Sequence, residues 1–273
     1  MDIYTEDSPI APSPANLTST IVPNNVVAGI NHIAYVNSKP GCLWASGPSS
    51  LMKFGIDGNI IQTVNDALCW HGSFAVTRDW DLLYVNKDQR IIKKKSEDET
   101  VDFVKIQDHE RIRCICISKI TGDLLVVIDN TERRINRVTR YDNAGKSHVI
   151  VSDNDRRLFK SPSYITENTN GNVVVSDYER KAVVVFDGAG QHRFNIKKHR
   201  IHSEFTPTGI CSDGNGKIIV FDASTLYIYV FDQDGHLKLL LDQKPNREWG
   251  LCVDDEQKLY VGNKTGTIDV YRY

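Results

Sequence analysis

A turn motif that recurs every 45 residues constrains the fold of this 273-residue chain more than any other feature. The motif is aspartate, two residues, then glycine, and its glycines stand at Gly145, Gly190 and Gly235. Each motif follows a short strand pattern that ends in an aromatic residue. Because glycine supplies the positive φ that tight hairpins need, the period predicts a series of similar hairpin units.

Copies of this unit fill residues 28 to 273, and each carries four short strand patterns. A unit of about 40 to 45 residues with four antiparallel strands is typical of a β-propeller blade. Helix-pair solenoids have similar periods, but the helical patterns that they need are absent from the sequence. The sequence therefore predicts an all-β, six-bladed β-propeller. Its blades are expected at roughly 28–66, 67–106, 107–152, 153–198, 199–242 and 243–273.

The two ends of the chain suggest how the ring closes. The last copy stops at Tyr273, directly after its third strand, and residues 17–22 offer the missing fourth strand. Closure by this N-terminal strand removes the exposed sheet edges that would otherwise favour aggregation. We expect one domain over residues 16–273, preceded by a disordered tail at 1–15 that is rich in serine and proline.

Composition narrows the functional classes. The net charge is −2 and no apolar run is long enough for a membrane helix, so we expect no membrane partner. The first residues lack the basic and apolar regions of a secretory signal, which favours a cytoplasmic protein with reduced thiols in its core. We expect no metal and no cofactor, and an isolated propeller of this kind is expected to be monomeric.

Two segments carry a family resemblance. Residues 161–187 and 206–222 have the same order of proline, glycine turn, apolar strand and aspartate, and they look like NHL repeats. The chain is similar to the C-terminal propellers of the tripartite-motif (TRIM-NHL) proteins. That resemblance implies a non-catalytic recognition or scaffold module for protein or RNA. The RING, B-boxes and coiled coil that carry ubiquitin-ligase activity in that family have no counterpart in this sequence, so the chain itself is not expected to be an enzyme.

The aspartate that follows the second strand has a structural interpretation. At Asp177 and Asp222 a carboxylate can accept backbone N–H bonds and stabilise the next turn. We therefore predict that both residues have structural roles.

Charge divides the predicted loops between two faces. The loops that join strand 4 to strand 1 and strand 2 to strand 3 carry an excess of Lys and Arg, and the opposite loops an excess of Asp and Glu. A one-sided basic rim with aromatic residues can bind a polyanion such as RNA, although ordinary solvated loop charges explain each residue equally well. The candidates on this face are Trp70, His71, Arg111, Arg113, Arg133, Arg134, Arg156, Arg157, Lys160, Tyr178, Arg180, Lys181, His199, Arg200, Arg247, Trp249 and Lys264.

An enzyme is the alternative: a calcium-dependent lactonase-like propeller or another propeller hydrolase. Lactonases of that kind need Glu, Asn and Asp that converge on the central channel. The innermost strands here carry mainly apolar residues, such as Ile115 and Cys211, which does not favour a cation site. Glu167 and Asp213 lie at strand ends, where a role in turn formation is the simpler interpretation.

Overall fold

The computed structural model describes residues 1–5, 13–14, 16–24, 29–38, 41–47, 49–70, 72–153, 158–198, 205–242 and 250–273. Three strands precede the blades: β1 (Asp2–Thr5), β2 (Ser13–Pro14) and β3 (Asn16–Ile21). In the described residues, no helix is long and apolar enough to cross a membrane.

Six sheets follow around the ring, and the predicted propeller is confirmed. Each blade runs antiparallel from an innermost strand outward. Blade 1 comprises β4 (Ile33–Val36), β5 (Cys42–Ser46), β6 (Leu51–Gly55) and β7 (Ile60–Val64); blade 2 comprises β8 (Phe74–Val76), β9 (Leu82–Val85), β10 (Ile91–Lys95) and β11 (Thr100–Lys105); blade 3 comprises β12 (Glu110–Ile117), β13 (Leu124–Asn130), β14 (Ile135–Tyr141) and β15 (Ser147–Ser152).

The second half of the ring repeats this pattern. Blade 4 comprises β16 (Pro162–Glu167), β17 (Val173–Asp177), β18 (Ala182–Phe186) and β19 (His192–Lys198); blade 5 comprises β20 (Pro207–Ser212), β21 (Ile218–Asp222), β22 (Tyr227–Phe231) and β23 (Leu237–Asp242); blade 6 comprises β24 (Gly250–Val253), β25 (Lys258–Gly262) and β26 (Ile268–Arg272). The fourth strand of blade 6 is β3, which pairs antiparallel with β26. The predicted closure by an N-terminal strand is therefore confirmed.

The extreme N-terminus differs from the disordered tail that its composition suggested. β1 pairs in parallel with the outer edge of blade 4, and β2 does the same with blade 5. The Asp2 carboxylate accepts hydrogen bonds from Asn195 at 2.8 Å and Lys197 at 2.7 Å. An outermost strand offers unpaired N–H and C=O groups, which explains why a polar segment can pair there. Residues 6–12 and 15 lie outside the described part of the chain.

The core lies between blades. The described residues form six clusters of buried apolar side chains, each shared by two neighbouring blades. Inner strands such as β17 are buried along their whole length, because both faces of a blade pack against neighbours. This packing fixes the innermost strands around a central channel, and both ends of the channel carry cavities.

Candidate functional site

A tyrosine spans the centre of the channel. Tyr164, on the innermost strand of blade 4, is buried and donates a hydrogen bond to the carbonyl of Asn31, which precedes blade 1 on the opposite side of the ring. The His32 ring lies 5.7 Å from the Tyr164 ring and 4.5 Å from the Phe74 ring, measured between centroids. These aromatic groups fill the channel at mid-height and leave a separate cavity at each end.

Gly72 permits this close packing. Its φ is +56°, and a Cβ built there would lie 2.8 Å from the Cβ of Cys114 and 3.4 Å from the Tyr164 ring. Its carbonyl accepts a hydrogen bond of 2.8 Å from the Ile115 N–H of the next blade. Only glycine meets both the steric and the conformational demand at this point.

The cavity on the side of the predicted basic face has a volume of about 760 Å³. We call it the arginine pocket, because Arg111 and Arg113 of β12 line it. Hydroxyl groups of blades 4 and 5 face the two arginines, and the aromatic side chains of Trp70 and Tyr178 stand at its rim. The remaining lining residues are Leu68, Gln89, Ile112, Ser161, Pro162, Ser163, Thr206, Thr208, Ala223 and Ser224.

Three β-bulges build this pocket. The register of the innermost strand shifts at Arg113 in blade 3, at Ser163 in blade 4 and around Thr208 in blade 5. A bulge leaves an extra residue unpaired and redirects its side chain, and bulges are common next to active sites. All three bulged residues line the arginine pocket. Equivalent irregularities in three consecutive blades thus direct one cation and two hydroxyls into the same cavity.

Hydrogen bonds hold the lining side chains in place. Arg113 Nη2 donates to the Ser161 hydroxyl at 3.4 Å, and the Ser163 hydroxyl donates to the Ser161 carbonyl at 3.3 Å. The Thr208 hydroxyl donates to the carbonyl of Phe221 at 3.3 Å. Trp70 and Tyr178 are 66% and 50% exposed, so both aromatic side chains are accessible to a ligand at the rim.

Asp177 joins two loops of blade 4 beneath the pocket. Its buried carboxylate accepts backbone N–H bonds from Lys160 at 2.6 Å, Ser161 at 2.9 Å and Arg180 at 2.9 Å. Asp222 has the same role in blade 5, where it accepts bonds from backbone N–H groups on both sides of the strand. The structural interpretation of both aspartates is confirmed. Ser161 owes its position in the arginine pocket to this carboxylate.

The structure brings together only part of the predicted basic surface. Trp70, Arg111, Arg113 and Tyr178 meet in the arginine pocket. Other described candidates belong to the surrounding loops and do not line it: Arg133, Arg134, Lys160, Arg180, Lys181 and Lys264. The remaining candidates lie outside the described residues: His71, Arg156, Arg157, His199, Arg200, Arg247 and Trp249.

Two of those loop cations have a backbone role. Arg134 and Lys181 occupy left-handed positions with φ of 54° and 56° in the turns between the second and third strands. The hydroxyl residues Ser161, Ser163, Thr206, Thr208 and Ser224 were not predicted as site residues, although all of them line the arginine pocket. Serine and threonine are so common in strands and turns that their type alone does not mark a site.

Where the structure describes them, the residues around the channel do not fit a calcium site. The described residues contain no group of three or more His, Cys, Asp or Glu side chains placed to hold a metal. Two buried carboxylates near the channel are paired with arginines instead. Glu110 accepts a bond of 2.9 Å from Arg137, and Glu167 one of 2.9 Å from Arg140. Carboxylates neutralised in this way are poor ligands for a hard cation.

The two acidic strand-end residues have different environments. Asp213 Oδ1 accepts backbone N–H bonds from Asn215 at 2.9 Å and Lys217 at 2.8 Å, so its predicted role in the turn is confirmed. Glu167 does not serve its own turn. It is buried and accepts a bond of 2.5 Å from the Ser118 hydroxyl of blade 3, besides its pairing with Arg140. Glu167 therefore joins neighbouring blades.

Comparison with known proteins gives fold neighbours only. No family model and no curated protein matches the chain. A gluconolactonase from Xanthomonas campestris is similar with a TM-score of 0.72, 14% identity and 96% of each chain covered. Regucalcin from Agrobacterium tumefaciens, described as a calcium-binding protein, has a TM-score of 0.70 and 11% identity over 96% of this chain and 95% of that one. Virginiamycin B lyase from Staphylococcus aureus, solved with quinupristin as a catalytically inactive variant, has a TM-score of 0.64 and 14% identity over 93% and 87%.

These neighbours correct the functional interpretation of the sequence. They include a lactonase and a lyase, so the expectation of a non-catalytic recognition or scaffold module was wrong, and so was the expectation that the chain is not an enzyme. The TRIM-NHL resemblance is not confirmed, and RNA binding and a ubiquitin-ligase context have no support. At identities of 11% to 14% the shared property is the six-bladed fold itself.

Proposed function

We propose that this chain is a propeller hydrolase that cleaves a small anionic ester or lactone in the arginine pocket. One observation carries the proposal: bulges in three consecutive blades direct Arg113, Ser163 and Thr208 into a single cavity. The volume of about 760 Å³ suits a small molecule rather than a polymer. The similarity in fold to a gluconolactonase supports an ester or lactone as the substrate class.

The two guanidinium groups supply the charge that such a reaction needs. Hydrolysis passes through a tetrahedral intermediate with a negatively charged oxygen, and fixed donors aimed at that oxygen stabilise the transition state. Arg113 is half-buried and tied to Ser161, so its guanidinium is already oriented in the free protein. Arg111 is more exposed and can bind the anionic group of the substrate as a bidentate pair.

The remaining lining residues orient the reactants. Hydroxide from the solvent, oriented by the Ser163 and Thr208 hydroxyls, adds to the acyl carbon. The acyl–oxygen bond of the ester then breaks, and the leaving oxygen takes its proton from water. Trp70 and Tyr178 provide apolar rim surface for the rest of the substrate. The positive charge comes from arginine in this mechanism, and no step depends on a metal.

A matched pair of chromogenic esters tests the proposal. We expect wild-type protein to hydrolyse mono-4-nitrophenyl succinate faster than the uncharged 4-nitrophenyl butyrate, and to do so equally with and without EDTA. Arg113→Gln should lower kcat/KM for the succinate ester by about 100-fold, as removal of one oxyanion donor does in other hydrolases. Arg272→Gln, a change at an exposed arginine on β26 that does not line the pocket, is the control.

Three outcomes would refute the proposal. The first is hydrolysis of both esters at the buffer rate. The second is an equal preference for the charged and the neutral ester, since the arginines would then not be recognising an anion. The third is an unchanged kcat/KM in both Arg111→Gln and Arg113→Gln.

A further inference from the structure

Trp80 has a left-handed backbone conformation, and glycine occupies the equivalent position in three other blades. It lies in the turn between the first two strands of blade 2, where its N–H donates to the Thr77 carbonyl at 3.1 Å and its φ is 70°. The matching turn residues of blades 3, 4 and 5 are Gly122, Gly171 and Gly216, with φ of 81°, 82° and 81°. Blade 6 has Gln257 there, with φ of 64°.

A tryptophan at this position costs free energy. The left-handed region is strained for an L-residue, and a bulky side chain there is an outlier that usually marks a functional constraint. The glycines show that the turn itself needs no side chain at this point. About half of the Trp80 surface remains exposed, so the indole is available to bind a ligand.

Trp80 lines the second cavity of the channel, which has a volume of about 580 Å³. We call it the Trp80 pocket; it lies at the other end of the innermost strands, beyond Tyr164 and away from the arginine pocket. Its floor is apolar, with Ile115, Ile165 and Leu251 among the lining residues. Polar and charged side chains line the rest of the cavity, and a cavity of this size that combines an apolar floor with placed polar groups is typical of a small-molecule site.

The polar groups around this pocket are held in place. Lys119 reaches from blade 3 to blade 5, where its ammonium donates to the Ser212 carbonyl. The Arg78 guanidinium donates to the carbonyls of Lys119 at 2.5 Å and Ile120 at 3.2 Å, which ties the turn of Trp80 to blade 3. Both the aromatic and the cationic side of the pocket are thus positioned before any ligand arrives.

We propose that the Trp80 pocket binds a neutral, planar aromatic or heteroaromatic small molecule. Its ring stacks on the Trp80 indole, and a hydroxyl or carbonyl oxygen accepts a hydrogen bond from the Lys119 ammonium, which has donors beyond the one used on Ser212. Neutrality follows from the lining charges, since Asp254 and Asp255 accompany Arg78 and Lys119 around the cavity. This site is independent of the hydrolase proposed for the arginine pocket.

Calorimetry with two related alcohols tests the proposal. 2-Naphthol should bind wild-type protein at least about tenfold more tightly than decahydro-2-naphthol, which has the same skeleton without the planar π system. Trp80→Gly should weaken 2-naphthol binding by at least about tenfold, and Trp80→Asn should do the same with a second residue that accepts a left-handed backbone. Trp70→Ala, at the rim of the arginine pocket, should leave the affinity unchanged.

The fold of the variants separates this role from a structural one. Trp80→Gly and Trp80→Asn should keep the native circular dichroism spectrum at the temperature of the calorimetry while their affinity for 2-naphthol falls. A loss of affinity that occurs only together with loss of the native spectrum would overturn the proposal. So would undetectable 2-naphthol binding by the wild type, equal affinity for the two alcohols, or unchanged affinity in Trp80→Gly.

Discussion

Asp177→Asn tests how the arginine pocket is held in position. The carboxylate of Asp177 receives the Ser161 and Arg180 N–H groups on Oδ1 and the Lys160 N–H group on Oδ2. Asparagine has the same shape but only one acceptor oxygen. If that oxygen replaces Oδ1, the amide NH₂ group must face the Lys160 N–H, and two donors then point at each other inside a buried site.

The magnitude follows from these three bonds. A hydrogen bond to a charged group contributes about 1.5–3 kcal/mol, whereas a neutral one contributes about 0.5–1.5 kcal/mol. The substitution removes one charge-assisted bond and converts the two on Oδ1 into neutral bonds. We therefore expect a loss of about 5 kcal/mol in the free energy of unfolding. For a domain of this size, that corresponds to a fall in Tm of about 10–20 °C.

Chemical denaturation in urea, with the Tm as a second measurement, checks this value. Asp187→Asn is the matched control, because Asp187 accepts the Ala189 and Gln191 N–H groups at 3.0 and 2.8 Å on the same oxygen. The amide oxygen of asparagine can keep both bonds in neutral form, so the control should lose about 2.5 kcal/mol, half of the loss expected for Asp177→Asn. Equal losses in the two variants would refute the reasoning. The second acceptor oxygen of Asp177 would then contribute nothing to the free energy of unfolding.

Three further predictions concern pH, packing and thiol chemistry. Hydrogen bonds from Arg137 hold the pKa of Glu110 below its ordinary value of 4.5. The ion pair therefore stabilises the folded state fully above pH 4.5, and this stabilisation is lost as the pH falls through the lowered pKa. The difference in the free energy of unfolding between wild type and Glu110→Gln, measured by urea titration, should therefore shrink in acid. Gly72→Ala should lower the Tm more than Gly122→Ala. Both glycines have a positive φ, but a Cβ at Gly122 meets no atom within 4 Å, whereas a Cβ at Gly72 would lie 2.8 Å from the Cβ of Cys114. Equal shifts in Tm would contradict this prediction. Desolvation raises the pKa of Cys211, a partly buried thiol, to about 12, so Ellman's reagent should modify it slowly at neutral pH in native protein and rapidly in denaturant, as followed by mass spectrometry of the peptide that contains it. A fast native reaction at Cys211 would contradict the raised pKa.

The blades were predictable because their tight hairpins favour one residue type, glycine, at a fixed position. Gly145, Gly190 and Gly235 have φ of 78°, 87° and 87°, a region that glycine enters without strain. Their regular spacing therefore recorded the period of the fold. At Trp80 the same left-handed geometry carries a large residue, and the sequence there gives no sign of the strain. A local pattern reveals a left-handed position when the residue type agrees with the backbone, and does not reveal it when the residue type disagrees.

The functional error has a physical cause as well. The order of proline, glycine turn, apolar strand and aspartate that resembled the NHL repeat describes how a blade is built. Asp177 shows this directly, because its carboxylate accepts hydrogen bonds from three backbone N–H groups of its own blade. Such a pattern can occur in propellers of any function, so it predicts the fold and says little about the chemistry.

The arginine pocket could be predicted only in part. Arg111 and Arg113 were predicted as members of the basic face, because they lie where the loop between the fourth strand of one blade and the first strand of the next was expected. Ser163 and Thr208 enter the pocket because bulges redirect them, and only the prolines before them, Pro162 and Pro207, hint at irregular pairing. Side chains from separate blades converge because the ring is closed. The spacing of residues within one blade therefore does not predict which of them will meet.

The innermost strands, which surround the channel where a ligand would bind, differ between the two halves of the ring. The innermost strands of blades 3, 4 and 5 have 8, 6 and 6 residues and all contain a bulge. Those of blades 1 and 2 have 4 and 3 residues, and in blades 1, 2 and 6 the described pairing of the innermost strand with the second strand runs without a register shift. A repeating fold in which stability were the only requirement would give each blade similar inner strands. Because an asymmetric substrate needs an asymmetric site, the bulged half of the ring is where specialisation for chemistry is expected, and the arginine pocket lies on it.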